Sequence, residues 1–399
     1  MPSVSGPSAP DALADFLQAL VRIPSVNPPG GEGPVASLIL DELRRLGLDG
    51  RIVESAPGRA NVVAHLAGSG RGPTLLLNGH MDVQPPAADW TREPFAAERE
   101  GTRVYGQGVM DMKAGLAAMV FAVEAVRRTA TRLAGDLVLT AVADEVSGGH
   151  QGTGFLVRQG LVRADFGVVC EPTGDAVRVA HRGALWLELE VRGRSAHGGR
   201  PWLGVNAISK VARIVRVLEE DLLPRLASRT HPLLPAPTIN LGTIHGGTKF
   251  NLVADRATLQ LDRRLVPGES LDAARAEIEA VCAAVRAGDP EAFEYRVREV
   301  MRVPPAEIAP DAPIVEACRR AYRAVTGREA AIEATAGFED AHFLIEAGIP
   351  TAMFGPYRRT APGEPRFYSA SGMPDESVDL RDVATAASVY ARLILDLLG

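Results

Sequence analysis

Three short apolar runs of this chain each stop at a group that can bind a metal or move a proton. Leu75-Leu76-Leu77-Asn78-Gly79 runs into His80, the run Leu137 to Val142 is followed by Glu145, and Val168-Val169-Cys170 is followed by Glu171. Asp111 stands just before a helix-length segment, Met112 to Arg128. Apolar runs of strand length that alternate with helix-length segments predict an α/β domain with a largely parallel sheet. In open sheets of that kind ligands bind beyond the carboxyl ends of the strands. The four residues are therefore expected to converge on one crevice. Each acid alone reads as a helix cap or a solvated loop residue, but the joint pattern is that of a hydrolytic metal site.

The rest of the chain supports two layers. Asp11 to Leu20 and Pro34 to Gly47 have helical spacing, with Pro and Gly suited to the ends of the second helix. Asn61 to Leu66 and Thr74 to Leu77 read as strands. From Ala184 to Arg192 apolar and polar residues alternate, as in a strand with one wet face. A helix from about Val205 to Leu223, strands near Thr238 to Ile244 and Ala257 to Leu261, and a helix from Leu271 to Arg286 follow. Past Val303, helices over Ile314 to Val325, Ala341 to Ala347 and Val383 to Leu398, with a short strand at Pro350 to Phe354, return to the first pattern. The expected plan is a discontinuous catalytic α/β domain, residues 1–182 and 298–399, interrupted by an α+β insert at 183–297.

The 399 residues carry 43 Lys plus Arg against 49 Asp plus Glu, a formal charge of -6, which gives no support to a nucleic-acid-binding surface. The richest apolar stretch, Leu116 to Val126, is broken by Glu124, so no membrane span is expected. Cys170, Cys282 and Cys318 are widely spaced and odd in number. They read as reduced thiols in a cytoplasmic protein, and the Pro/Ser/Gly-rich start lacks the charged and apolar regions of a signal peptide.

A neutral imidazole with two carboxylates suits zinc and leaves a coordination position for water. A nearby unligated carboxylate can take that water's proton. Asp82, two residues after His80 and on the same side of an extended chain, is placed to orient the imidazole.

The blocks Gly79-His80-Met81-Asp82-Val83, Gly106-Gln107-Gly108-Val109-Met110-Asp111-Met112-Lys113, Asp144-Glu145 with Gly148-Gly149-His150-Gln151-Gly152, and Glu171-Pro172-Thr173 resemble the signature of the M20 metallopeptidase family. That family includes aminoacylases, acetylornithine deacetylases, succinyl-diaminopimelate desuccinylases and carboxypeptidases. The resemblance extends to Ser195-Ala196-His197-Gly198-Gly199-Arg200-Pro201 and Gly204-Val205-Asn206-Ala207 in the insert. It implies a zinc-peptidase-like catalytic domain and a lid that forms a homodimer. It implies that His80, Asp111 and Glu171 bind metal, Asp111 bridging where a second ion exists, and that Glu145 is the general base. It also implies that His197 reaches a partner's active site to stabilise an oxyanion, and that Asn251 and Arg264 meet the substrate carboxylate. Arg263, adjacent, competes for the last assignment.

Two positions depart from that pattern. The expected second Glu of an Asp-Glu-Glu element is Val146, and the expected His before Pro374-Asp375-Glu376 is Gly372. Both are ligands private to a second metal, so one zinc per chain is expected, with manganese or cobalt as alternatives. A shifted alignment would instead make Asp144 the base and Glu145 a ligand, and His342 or His150 would be substitute ligands. Arg358, Arg359 and Arg366 precede Gly372 and read either as an anion-binding loop or as a solvated basic one. The expected activity is hydrolysis of the C–N bond of an N-acyl amino acid, dipeptide or related small amide, with metal-bound water activated by Glu145. The competing readings are a one-metal variant with changed chemistry, acting on an aryl amine or by elimination, and a non-catalytic small-molecule-binding relative.

Overall fold

The computed structural model describes residues 10–357 and 373–399. The chain divides into two compact units: Met1–Val179, Glu307–Glu333 and Glu339–Gly399 form the first, and Ala180–Ala306 with Ala334–Phe338 form the second.

The first unit is built on a mixed sheet with a parallel centre. Thr74–His80 pairs in parallel with Asp136–Val142 on one side and with Phe166–Val169 on the other, and Phe166–Val169 pairs in parallel with Thr351–Met353. Leu75, Leu76 and Leu77 are all fully buried, because a strand inside a parallel sheet is covered on both faces and so reads as a continuous apolar run. One flank is antiparallel: Asp49–Ala56 pairs with Arg59–Leu66, which pairs with Asp136–Val142. The outer strand, Asp49–Ala56, escaped the sequence reading because its exposed Asp49, Arg51 and Glu54 interrupt any apolar run. Helices Pro10–Arg22, Gly33–Arg45, Ala114–Arg128, Pro313–Thr326 and Leu380–Leu398 cover the sheet. Ala114–Arg128 is buried nearly all round and packs against Leu380–Leu398, so both ends of the chain build one core. Ser377–Asp379 pairs with Arg103–Tyr105, which brings the carboxyl-terminal segment beside the turn that carries Asp111.

The second unit is an antiparallel sheet in the order Thr238–Gly246, Arg256–Leu265, Gly183–Arg192, Glu294–Val303. Leu185, Leu187, Leu189 and Val191 point from alternate positions of Gly183–Arg192 into a core shared with Val211, Ile214 and Ile278 of the helices Ala207–Val217 and Leu271–Ala287. An insert ending at 297 would cut Glu294–Val303 in half. That strand is hydrogen-bonded along Gly183–Arg192, so the unit runs on to Ala306. It begins at Ala180 rather than at 183 and takes in Ala334–Phe338, a short segment whose sequence gave no sign of belonging there.

Candidate metal centre

His80, Asp111 and Glu171 each offer a ligand atom, and these atoms all lie within 4.8 Å of one another. The His80 imidazole is almost completely buried, and its Nδ1 lies 2.8 Å from the Asp82 carbonyl oxygen. Donation from Nδ1 to that carbonyl leaves Nε2 with its lone pair, the tautomer a metal requires. Nε2 lies 3.0 Å from Asp111 Oδ1, 3.5 Å from Glu171 Oε1 and 3.8 Å from Glu145 Oε2.

Asp111 occupies an irregular turn, Val109–Lys113, with extended φ -120 and ψ 92. The turn is gripped from the far end of the chain: Glu376 accepts hydrogen bonds from the amides of Gly108, Met110 and Asp111. Glu171 Oε1 is buried and has no hydrogen-bond partner, a condition that costs a few kcal/mol unless something else occupies that oxygen. A nitrogen, two carboxylates and an orphaned carboxylate oxygen fit a divalent cation.

The electrostatics agree. Burial opposes charge on His80, but Asp111, Glu145 and Glu171 outweigh it and raise the pKa of the ring well above its usual value. Burial first, then mutual repulsion among the carboxylates, pushes Glu145 and Glu171 well above the usual carboxylate range despite the attraction of His80. The pocket therefore holds more negative charge than its own cations balance, and a bound metal ion would reverse that deficit.

Glu145 opens a short 3-10 turn, Glu145–Ser147, and its carboxylate lies beside the triad without being one of its three members. The Asp82 carboxylate sits 3.6 Å from His80 Nδ1, and its closer partners are Asn27 Nδ2 and the amides of Glu145 and Val146. Asp82 thus orients His80 through its carbonyl and holds the Glu145 turn through its side chain. Asp144, the base in a shifted alignment, is instead engaged by Arg59 and the Gln151 amide.

Neither substitute ligand joins the triad. His342 Nδ1 lies 3.0 Å from the Glu339 carbonyl oxygen and its ring lies tilted against Phe343, while His150 meets the edge of the same phenylalanine. Among the described residues the one group able to hold a metal is His80, Asp111 and Glu171. Gly372, Arg358, Arg359 and Arg366 lie outside the described residues.

In the second unit His197 is exposed, and its Nδ1 accepts from the Gly199 amide at 3.0 Å, so the neutral ring carries its proton on Nε2. It bridges to Leu252, and the Asn251 carbonyl accepts from the Gly198 amide, which makes His197 and exposed Asn251 neighbours. The two arginines part clearly. Arg263 is fully buried and paired with Glu269 at 2.6 Å, whereas Arg264 is partly exposed, pairs with Asp262 and lies over the Phe338 ring.

Sequence reasoning missed Glu339 and Asp340. Both are buried in the first unit, with Glu339 paired to Arg178 at 3.2 Å and Asp340 accepting from Thr153 Oγ1 at 2.7 Å. Burial raises both to about 7. Their signal was an acidic pair between a strand, Ala331–Thr335, and a helix, Ala341–Glu346, the same placement that marked the other acids.

A parallel-centred α/β unit with His, Asp and Glu gathered at strand ends and a further carboxylate at hand defines a hydrolase of the metal-dependent class. The family model described as Peptidase family M20/M25/M40 matches residues 76–396, and the chain belongs to that family. It is 30% identical over 400 residues to the succinyl-diaminopimelate desuccinylase of Methylorubrum extorquens (strain PA1), covering 97% of this chain and 98% of that one. Its fold matches a tripeptidase from Staphylococcus aureus with a TM-score of 0.79 at 22% identity, over 98% of both chains. It also matches an M20 family metallo-carboxypeptidase from Sulfolobus solfataricus with a TM-score of 0.77 at 20% identity, over 96% of this chain and 98% of that one. The protein is accordingly a metallohydrolase of the peptidase or deacylase type. None of the described helices is long and apolar enough to cross a membrane.

Proposed function

We propose that this protein hydrolyses the C–N bond of a small amide, an N-acyl amino acid or a dipeptide, with one metal ion held by His80, Asp111 and Glu171 and with Glu145 as the proton shuttle. The observation that carries this reading is the arrangement around His80 Nε2, where Asp111 and Glu171 form the ligand group and Glu145 Oε2 stands 3.8 Å away outside it. A divalent ion there, zinc by the donor set with manganese or cobalt as alternatives, would act as a Lewis acid towards a carbonyl and lower the pKa of water. Glu145 takes one proton from the attacking water and returns it to the leaving nitrogen, so the amine leaves neutral and the acyl group leaves as a carboxylic acid; the acid then gives up its remaining proton to solvent and the amine takes one from it. Burial and neighbouring carboxylates raise the Glu145 pKa, which suits a group that must both accept and donate near neutral pH.

In this reading His197 donates Nε2–H to the developing oxyanion, and Asn251 and Arg264 hold the substrate carboxylate. His197 is supplied by a second copy of the chain. The outer strand Thr238–Gly246, with Ile244 and the nearby Ile208 exposed, offers an edge for that pairing. Similarity to a desuccinylase makes N-succinyl diamino acids the first substrates to try. The single ligand group among the described residues, with Val146 where a second metal would need a carboxylate, also favours a one-metal variant acting on an unusual C–N bond. Inactivity towards simple N-acyl amino acids and dipeptides, with turnover of an aryl amide, would select that variant.

Glu145→Gln tests the central step. Turnover is expected to fall by at least about 100-fold, the usual contribution of a positioned acid–base group, while elemental analysis finds the wild-type metal content. Retained activity would reject Glu145 as the shuttle.

A further inference from the structure

Glu145 follows a residue in an uncommon conformation. Asp144 has φ +76 and ψ 4, the left-handed region that non-glycine residues seldom enter. Its side chain is committed on both oxygens: Oδ1 receives Arg59 Nη2 at 3.0 Å, and Oδ2 receives the Gln151 amide at 2.9 Å. Its carbonyl accepts from the amides of Ser147 and Gly149. The turn that aims Glu145 is thus closed upon Asp144, and Asp144 is tied to Arg59.

Arg59 belongs to a strand and reaches the amino-terminal loop. Its Nη2 also lies 3.0 Å from Glu32 Oε1, and its Nη1 donates to the Pro29 carbonyl at 3.0 Å and to Asn27 Oδ1 at 3.3 Å. Asn27 in turn donates through Nδ2 to Asp82 Oδ2 at 2.8 Å, and Asp82 holds the amides of Glu145 and Val146. Glu145 is gripped from both sides: its predecessor by Arg59 directly, and its own amide by Asp82, which Arg59 reaches through Asn27. Gly30, at φ +97, leaves room for the guanidinium, because a Cβ there would stand 1.9 Å from Arg59 Nη1. A planar cation that donates to three acceptors in fixed directions and pairs with a fourth oxygen, that of Glu32, is work for arginine and not for lysine.

We propose that Arg59 is a positioning residue for the proton shuttle: by tying Asp144 to the loop of Asn27, Pro29 and Glu32 it fixes where the Glu145 carboxylate points. It touches neither the metal ligands nor the reacting atoms. The inference rests on the reading of Glu145 given above.

The test uses the metal-loaded full chain with the substrate that the wild type turns over, and it includes Glu145→Gln as a control. Arg59→Lys keeps the charge and loses the fork. It is expected to lower kcat by about tenfold to 100-fold, the scale of a misplaced acid–base group, with KM within about threefold and metal content unchanged. The acid limb of the kcat–pH profile is expected to move, because the carboxylate loses its fixed surroundings. Asp144→Asn, which keeps the shape and the Gln151 contact, is expected to act in the same direction, and the double variant to be no worse than the poorer single. A purely structural role would reduce the active fraction and leave the pH profile in place. That result, or additive effects of the two substitutions, would overturn the proposal. If Glu145→Gln stays active, the shuttle itself is misassigned, an outcome distinct from failure of the Arg59 tie.

Discussion

Replacing Asp82 by asparagine changes one atom of a buried carboxylate and is expected to loosen the Glu145 turn while leaving the metal ligands in place. Asp82 is fully buried and accepts from Asn27 Nδ2 at 2.8 Å, the Glu145 amide at 3.1 Å and the Val146 amide at 3.2 Å. Asn27 and Val146 share Oδ2, and Glu145 has Oδ1 to itself. The amide side chain does least harm with its oxygen at the Oδ2 place, which leaves its NH2 facing the Glu145 N–H. One charge-assisted hydrogen bond, worth about 1.5–3 kcal/mol, is lost, and a buried donor without a partner costs about 1–3 kcal/mol more. About 3 kcal/mol is a moderate sum. Local opening of the turn would then be on the order of 100-fold more frequent. Hydrogen exchange across the peptide that contains Glu145 and Val146, read by mass spectrometry on metal-free protein, measures that ratio directly. Protection within about twofold of wild type would refute the reasoning, since the bond from the Glu145 amide to Asp82 would then contribute nothing. The His80 imidazole, held by the Asp82 carbonyl, is expected to keep its place, so metal content should not change.

Metal binding should release protons. In the metal-free protein the carboxylates raise the His80 pKa against its burial, and burial raises those of Glu145 and Glu171. These shifts make the ion compete with protons for its ligands, so affinity rises with pH by about tenfold per unit for each proton released. Titration calorimetry at pH 7 in buffers of different ionisation enthalpy is expected to count at least one proton per metal, and a count of zero would contradict these shifts. The paired arginines should separate stability from substrate binding. Arg263→Ala removes a fully buried guanidinium and leaves Glu269 with Arg229 and the Val266 amide, so it is expected to cost about 1–3 kcal/mol in urea unfolding. Arg264→Ala, which breaks a partly exposed pair, should cost no more than about 1 kcal/mol and instead raise KM. The reverse pattern would exchange their roles.

The centre of the fold was legible because parallel strands leave no choice of face. Leu75-Leu76-Leu77 can only be interior, and the His80 that follows can only stand at the strand's carboxyl end. Amphipathic helices such as Pro313–Thr326 were legible for the same reason, that one stripe is apolar. Edges and ties were not. Asp49–Ala56 carries charges because its outer side is wet, and Arg59, just after Pro57-Gly58, looks like any solvated turn residue. Its partners Glu32 and Asp144 lie far off in sequence, and no local period announces a pairing at that distance. Asp82 was half legible: alternation placed it on the side of His80, but its partners Glu145 and Val146 are 63 and 64 residues away. The reach of the second unit to Ala306 was hidden because Glu294–Val303 mixes Arg, Glu and Tyr with its apolar residues.

The grip of Glu376 on the amides around Asp111 sets an order of events during synthesis. The two partners are separated by 265 residues, and the second unit lies between them. A ribosome making residues one at a time therefore releases His80, Asp111 and Glu171 long before the group that shapes the Asp111 turn. The second unit, whose strands pair among themselves, has all its main segments in hand first. The pocket matures last, and a nascent chain stopped short of Glu376 carries every metal ligand yet lacks the clasp that brings them into register.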